Sequence, residues 1–196
     1  MQNTAFPRTK MASRIIGALA LGWLATTNPA QATALTFQNY AQGYESVSFT
    51  NDTPAAIGSF GAGEMLFGMN DGGVTSVLRA YCVDIFQNAS SSAQTYTLAS
   101  GIAHFGAEKA ANLGRLFTSF DAWNGATSIT AKETAALQIA VWEIVNETAR
   151  TASSLNLNLS SGNFKITAAA TGTVALAQGW LNGLAAANNW YQVSAY

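Results

Sequence analysis

Apolar and polar residues along this chain change their period near its middle. From "ALTFQNY" to "TYTLASGI" the sequence is rich in Thr, Val, Tyr, Phe and Ser and is broken by "NDTP", "GAGE" and "NDGG", which are strand and turn signals. "SVLRAYCVDIF" is the strongest strand: a period of two sends Tyr81, Val83 and Ile85 to one face and Cys82, Asp84 and Phe86 to the other. After His104 the spacing becomes helical. In "GAEKAANLGRLFTSF" the apolar positions Ala111, Leu113, Leu116 and Phe117 share a helix face, and "TAKETAALQIAVWEIVNETA", Thr130 to Ala149, predicts a second helix opened by a Thr130–Glu133 capping box. "LNLNLSSGNFKITAAA" alternates like a strand, "VALAQGWLNGLAAA" reads as a short helix and "WYQVSAY" as a terminal strand. Strands first and helices second predict one α+β domain, in which a β-rich, sandwich-like half packs against a helical half.

The Thr130 helix carries an anomaly. At about 100° per residue, Leu137, Val141, Ile144 and Val145 fill one sector, and Lys132, Glu143, Asn146, Glu147 and Arg150 fill the opposite, polar one. Gln138 falls in the apolar sector beside Trp142. A buried primary amide costs about 1 to 3 kcal/mol unless its donors and acceptors are paired. A hydrogen-bonded core glutamine is the plain reading.

Composition narrows the function classes. Charged residues are only 10% of the 196, against about 25% in an average soluble domain. The few Lys and Arg are scattered, so no basic patch for nucleic acid is expected. Three of them, Arg8, Lys10 and Arg14, precede the eleven-residue apolar run "IIGALALGWLA", and Ala30-Gln31-Ala32 fits a small-residue cleavage site. Residues 1–32 are thus expected to be a signal peptide and 33–196 the mature domain. The run falls short of the roughly 20 residues a membrane span needs, so no permanent span is expected. The mature chain keeps six of nine basic residues against all ten acidic ones.

Export makes Cys82 conspicuous, because cysteines in an oxidising compartment usually come in pairs and this chain has one. It is either a buried, inert thiol, a partner for another chain, or chemically committed. A lone thiol and a buried carboxamide are the reactants for an internal thioester: sulfur attacks the Gln138 side-chain carbonyl carbon and ammonia leaves. A fold that holds the two groups together supplies the effective concentration that water does not. The attacking species is the thiolate, so a proton acceptor is needed; Asp84 is the closest candidate in sequence, with a hydrogen-bonded strand carboxylate as its duller role. His104 is a second candidate shuttle. One His and one Cys give no metal-ligand spacing, so neither a metal nor another cofactor is expected. Tyr81, Phe86 and Trp142 are aromatic neighbours suited either to shielding the bond from water or simply to filling the core.

"AYCVDIF" and "LQIAVW" resemble the cysteine and glutamine motifs of the thioester domains of bacterial surface adhesins, the second described by a Thr-Gln-x-Ala pattern. The intervening helix "AANLGRLF" is similar as well, and the resemblance covers residues 37–149. Leu137 stands where the family often has threonine, which removes that hydroxyl. Cys-Val-Asp with a leucine before the glutamine looks more like exported Gram-negative proteins, many of which carry a C-terminal Pro-Glu-Pro sorting segment. The sequence has none before its end at Tyr196, so a chain that is cut short, or released rather than sorted, is expected. The resemblance implies a secreted or cell-surface adhesion module, not a turnover enzyme, which reacts once with an amine-bearing protein or matrix component. Two other readings stay open: a non-covalent structural or glycan-binding module with a buried free cysteine, and a cysteine hydrolase using Cys82 and His104.

Overall fold

The computed structural model describes residues 32–124, 129–151 and 154–196, so the expected leader lies outside the described residues except for Ala32. Seven strands come first: β1 (Ala32–Tyr40), β2 (Glu45–Asn51), β3 (Ala56–Ala62), β4 (Met65–Asp71), β5 (Val74–Ala80), β6 (Gln94–Thr97) and β7 (Ala99–Ser100). Helices α1 (Gly101–Phe105), α2 (Ala107–Asn124) and α3 (Ala131–Asn146) follow. The chain then adds β8 (Ala149–Thr151), β9 (Ser154–Leu155), β10 (Phe164–Ala168), α4 (Thr173–Gly183) and β11 (Ser194–Ala195). This is an α+β domain. Its larger sheets are antiparallel, in the orders β5-β4-β1-β6 and β10-β2-β3, and two-stranded ladders join β11 to β7 and β8 to β9.

The three-stranded sheet shows the period of two that its sequence predicts. In β2, Val47, Phe49 and Asn51 are buried and their neighbours less so. Phe49 meets Phe164 of β10 and Trp142 of α3 at ring-centroid distances of 5.4 and 6.2 Å. Helix α3 therefore lies on this sheet, and it also packs against α2 and α4. Its capping box forms as expected, with Thr130 accepting from the Glu133 N–H and Glu133 accepting from the Thr130 N–H.

Three expectations are corrected here. "SVLRAYCVDIF" does not run as one strand, because β5 ends at Ala80 and Tyr81 to Asp84 have no regular structure. Its partner β4 begins at Met65, which pairs with Ala80, so no strand lies opposite Cys82. Nor is α3 two-faced. Every residue from Thr134 to Ile144 is buried, and Glu143 and Glu147 sit inside although Lys132 is exposed. A helix surrounded by a sheet and two other helices has no solvent side, so its polar residues are carried into the core. The side chain of Arg150 lies outside the described residues. The later strands are also shorter than expected: "LNLNLSSGNFKITAAA" keeps Phe164–Ala168, and "WYQVSAY" keeps Ser194–Ala195.

The C-terminal segment crosses the helices where glycine allows it. A Cβ at Gly114 of α2 would stand 2.5 Å from the Tyr191 carbonyl oxygen, and one at Gly101 would stand 2.7 Å from that of Val193. Both approaches are too close for any side chain. They bring Val193 and β11 against α1 and β7, where the Gly101 N–H donates to the Val193 carbonyl at 2.8 Å.

The two buried carboxyls of α3 are treated differently. Glu147 accepts backbone N–H groups from Thr148, Asn163 and Phe164. Glu143, 0% exposed, has no hydrogen-bond partner on either oxygen; the nearby Asn158 N–H already serves the Asn156 carbonyl. Burial, reinforced by the charge of Glu147, pushes the Glu143 carboxyl up to about 8 from 4.5. The folded protein therefore keeps a proton that the unfolded chain has lost, and this group makes stability fall as pH rises from about 4.5 to about 8. Glu143→Gln is expected to flatten that slope. Urea unfolding midpoints of both proteins across this range test it, and parallel pH profiles would refute the assignment.

Candidate functional site

Leaving the β4 ladder at Ala80 exposes a problem that any buried backbone faces. The N–H and C=O of Cys82 point into the protein with no strand to pair them, at a cost of about 1 to 3 kcal/mol for each group left unmet. Gln138 meets both. Its Oε1 accepts from the Cys82 N–H at 2.8 Å, and its Nε2 donates to the Cys82 carbonyl at 2.7 Å. The carboxamide, 1% exposed, thus lies along the Cys82 peptide groups as a neighbouring strand would.

This clamp has a geometric consequence. The two bonded backbone groups flank the Cys82 Cα, so the Gln138 carbonyl carbon is held across from the carbon that carries the Cys82 side chain. Only rotation about the Cα–Cβ bond then changes where the sulfur stands relative to that carbonyl. The Cys82 N–H is already bonded to Oε1, where negative charge would develop during attack on the carbon. Such a pre-placed donor is the main device by which sites stabilise tetrahedral intermediates.

The sulfur sits between opposing influences. The thiol donates to the Asp84 backbone carbonyl at 3.1 Å. The indole of Trp142 is 1% exposed and its N–H has no hydrogen-bond partner of good geometry; it lies near enough to the Cys82 sulfur to favour the anionic form. Burial dominates and raises the thiol above its ordinary value; the Asp84 backbone and the Trp142 indole pull it down, while the Asp84 charge raises it further. Cys82 is therefore a protonated thiol at neutral pH.

The other sequence candidates divide. Tyr81, Cys82, Asp84 and His104 line one cavity of about 320 Å³. The Asp84 Oδ1 also accepts from the Phe86 N–H at 2.7 Å, which holds the turn after Cys82. Tyr81 packs on Phe117 with ring centroids 5.7 Å apart. His104 is exposed on α1, edge-on to Phe105 at 4.6 Å. Phe86 is 48% exposed, because the chain turns where a continued strand would have placed it beside Cys82. Two functional groups escaped the sequence reading. The Cys82 N–H is backbone and carries no residue signature, and the Trp142 N–H is legible only once the ring's direction is known. Among the described residues, no group of three metal-ligating side chains occurs and no helix is long and apolar enough to cross a membrane.

No protein-family model matches the chain, and neither does any curated protein or solved structure. The site is thus defined by its own geometry: an α+β domain in which a core glutamine grips the peptide of a lone cysteine beside a cavity.

In a Cys82→Ala background, where only the backbone clamp remains, Gln138→Leu is expected to lower stability by about 2 kcal/mol or more, since it leaves two backbone groups unmet. Chemical denaturation of the single and double variants measures this. An unchanged unfolding midpoint would mean that the clamp contributes nothing.

Proposed function

We propose that the protein is an exported, single-use covalent binding module, in which Cys82 and Gln138 join as an internal thioester that an amine on a surface or matrix target opens. The observation that carries this reading is the paired hydrogen bond between the Gln138 carboxamide and the Cys82 backbone. In formation, the Cys82 sulfur bonds to the Gln138 side-chain carbonyl carbon, the carbon–nitrogen bond breaks, and nitrogen leaves as ammonia with the proton that the thiol gave up. The bond from the Cys82 N–H to Oε1 survives this exchange and supports the oxygen throughout. The bond from Nε2 to the Cys82 carbonyl departs with the leaving group. Asp84 and His104, on the same cavity as Cys82, are the groups we assign to carry the proton between sulfur and nitrogen.

Burial limits the water that reaches the stored bond on its Gln138 side, where the residue is 1% exposed, while the half-buried Cys82 stays on the cavity wall. The indole N–H assists the thiolate that forms when an amine opens the bond. A cysteine hydrolase has one observation in its favour, the shared cavity of Cys82, Asp84 and His104. The raised thiol does not separate the two readings, because both need the sulfur to attack as the thiolate.

Intact mass of freshly purified protein kept free of amines is expected to be low by one ammonia, and Cys82→Ala is expected to restore the full value. Added amine should be incorporated once per molecule, with release of a free thiol. A full mass in such material would overturn the thioester, and repeated turnover blocked by thiol alkylation would favour the hydrolase.

A further inference from the structure

We infer that the amine admitted to this site is carried on an apolar arm: a primary amine on an alkyl or arylalkyl chain at least as long as a lysine side chain. The inference rests on the thioester reading and adds its substrate class. The cavity beside Cys82, about 320 Å³, is within the range of small-molecule pockets, about 300 to 1,000 Å³, and far exceeds what ammonia or methylamine fills. Its walls are largely hydrocarbon, with Leu35, Phe67, Leu78, Phe105, Leu113 and Phe117 among them. The cavity also reaches α3 at Val141, one turn beyond Gln138.

Part of its charged lining is already engaged. The Arg79 guanidinium is bonded through two nitrogens to buried Glu64 at 3.0 and 2.5 Å, and the Asp84 Oδ1 is held by the Phe86 N–H. An ammonium ion entering such a space gives up its hydration, so the walls favour the neutral amine, which is the nucleophilic form. The hydrocarbon arm gains about 0.8 kcal/mol for each methylene it buries. Gln87, Asn88, Ala89 and His104 are cavity-lining residues that are also exposed, and they mark its mouth.

The step balances without an oxidant or a metal. The amine nitrogen bonds to the Gln138 carbonyl carbon, the bond from that carbon to sulfur breaks with its electrons on sulfur, and the proton shed by nitrogen returns to Cys82 as a thiol.

Wild-type protein is treated with methylamine, n-hexylamine, 2-phenylethylamine or Nα-acetyl-lysine amide at equal free-base concentrations, and adduct mass and free thiol are followed. The hexyl and phenylethyl amines are expected to react at least about ten-fold faster than methylamine. If the acetyl-lysine amide keeps pace with them, the source of the arm is a protein lysine; if it lags with methylamine, the source is a free amine. Ala89→Trp, which narrows the mouth, is expected to bring the ratio of long-arm to methylamine rates towards one. Equal rates for all four amines, or a ratio untouched by Ala89→Trp, would overturn the inference and leave the thioester standing. Fresh protein of full mass would end both.

Discussion

The two backbone groups of Cys82 have to be paired inside the protein without a strand to pair them, and much of the structure follows from that constraint. Because β4 begins opposite Ala80, the chain leaves its sheet one residue before Tyr81 and carries a bare N–H and C=O into the interior. Only a planar group with a donor and an acceptor side by side satisfies both at once. A carboxamide is such a group, and Gln138 presents it from a helix. The same fit that satisfies the backbone sets a carboxamide across from the residue that carries the lone thiol, so a structural need and a chemical opportunity fall on the same pair of residues.

Presenting that amide requires α3 to run through the core, and the helix carries polar groups with it. Glu147 is held by backbone N–H groups around Asn163, whose side chain in turn donates to Asn51, Thr53 and Asn146. This network ties the end of α3 to β2 and to the start of β10. Glu143 has no such support and stays protonated instead. The contrast shows the two ways a core tolerates a carboxyl: by giving the anion donors, or by denying it ionisation.

Cys82 has two environments, and their difference shapes its chemistry. On one side stands the aromatic packing of Trp142 with Phe49 and Phe164. On the other a largely apolar cavity opens past Asp84 and His104. A molecule reaching Cys82 through that cavity meets walls that are mostly hydrocarbon. The C-terminal segment contributes to this arrangement, since Val193 to Tyr196 complete the cavity wall after crossing α2 and α1 at Gly114 and Gly101.

The sequence by itself determined the α+β class, the broad succession from strands to helices and the capped start of α3, and it singled out Cys82 and Gln138 as residues to consider together. These were legible because they rest on local periodicity and on residues whose chemistry is unusual in their setting: a single cysteine and a glutamine among aliphatic residues. It did not determine where β5 stops, because a strand's end is set by the length of the partner it pairs with, and "AYCVDIF" alternates as well as any ladder does. It placed Glu143 and Glu147 on a solvent face, because a helix's periodicity reports one apolar stripe and cannot report that sheet and helices enclose it on all sides. Tertiary structure alone decided that the Gln138 amide grips the Cys82 backbone, that the Trp142 indole lies near the sulfur, and that distant segments share one cavity. Each of these depends on directions between elements far apart in the chain, which residue spacing along it does not encode.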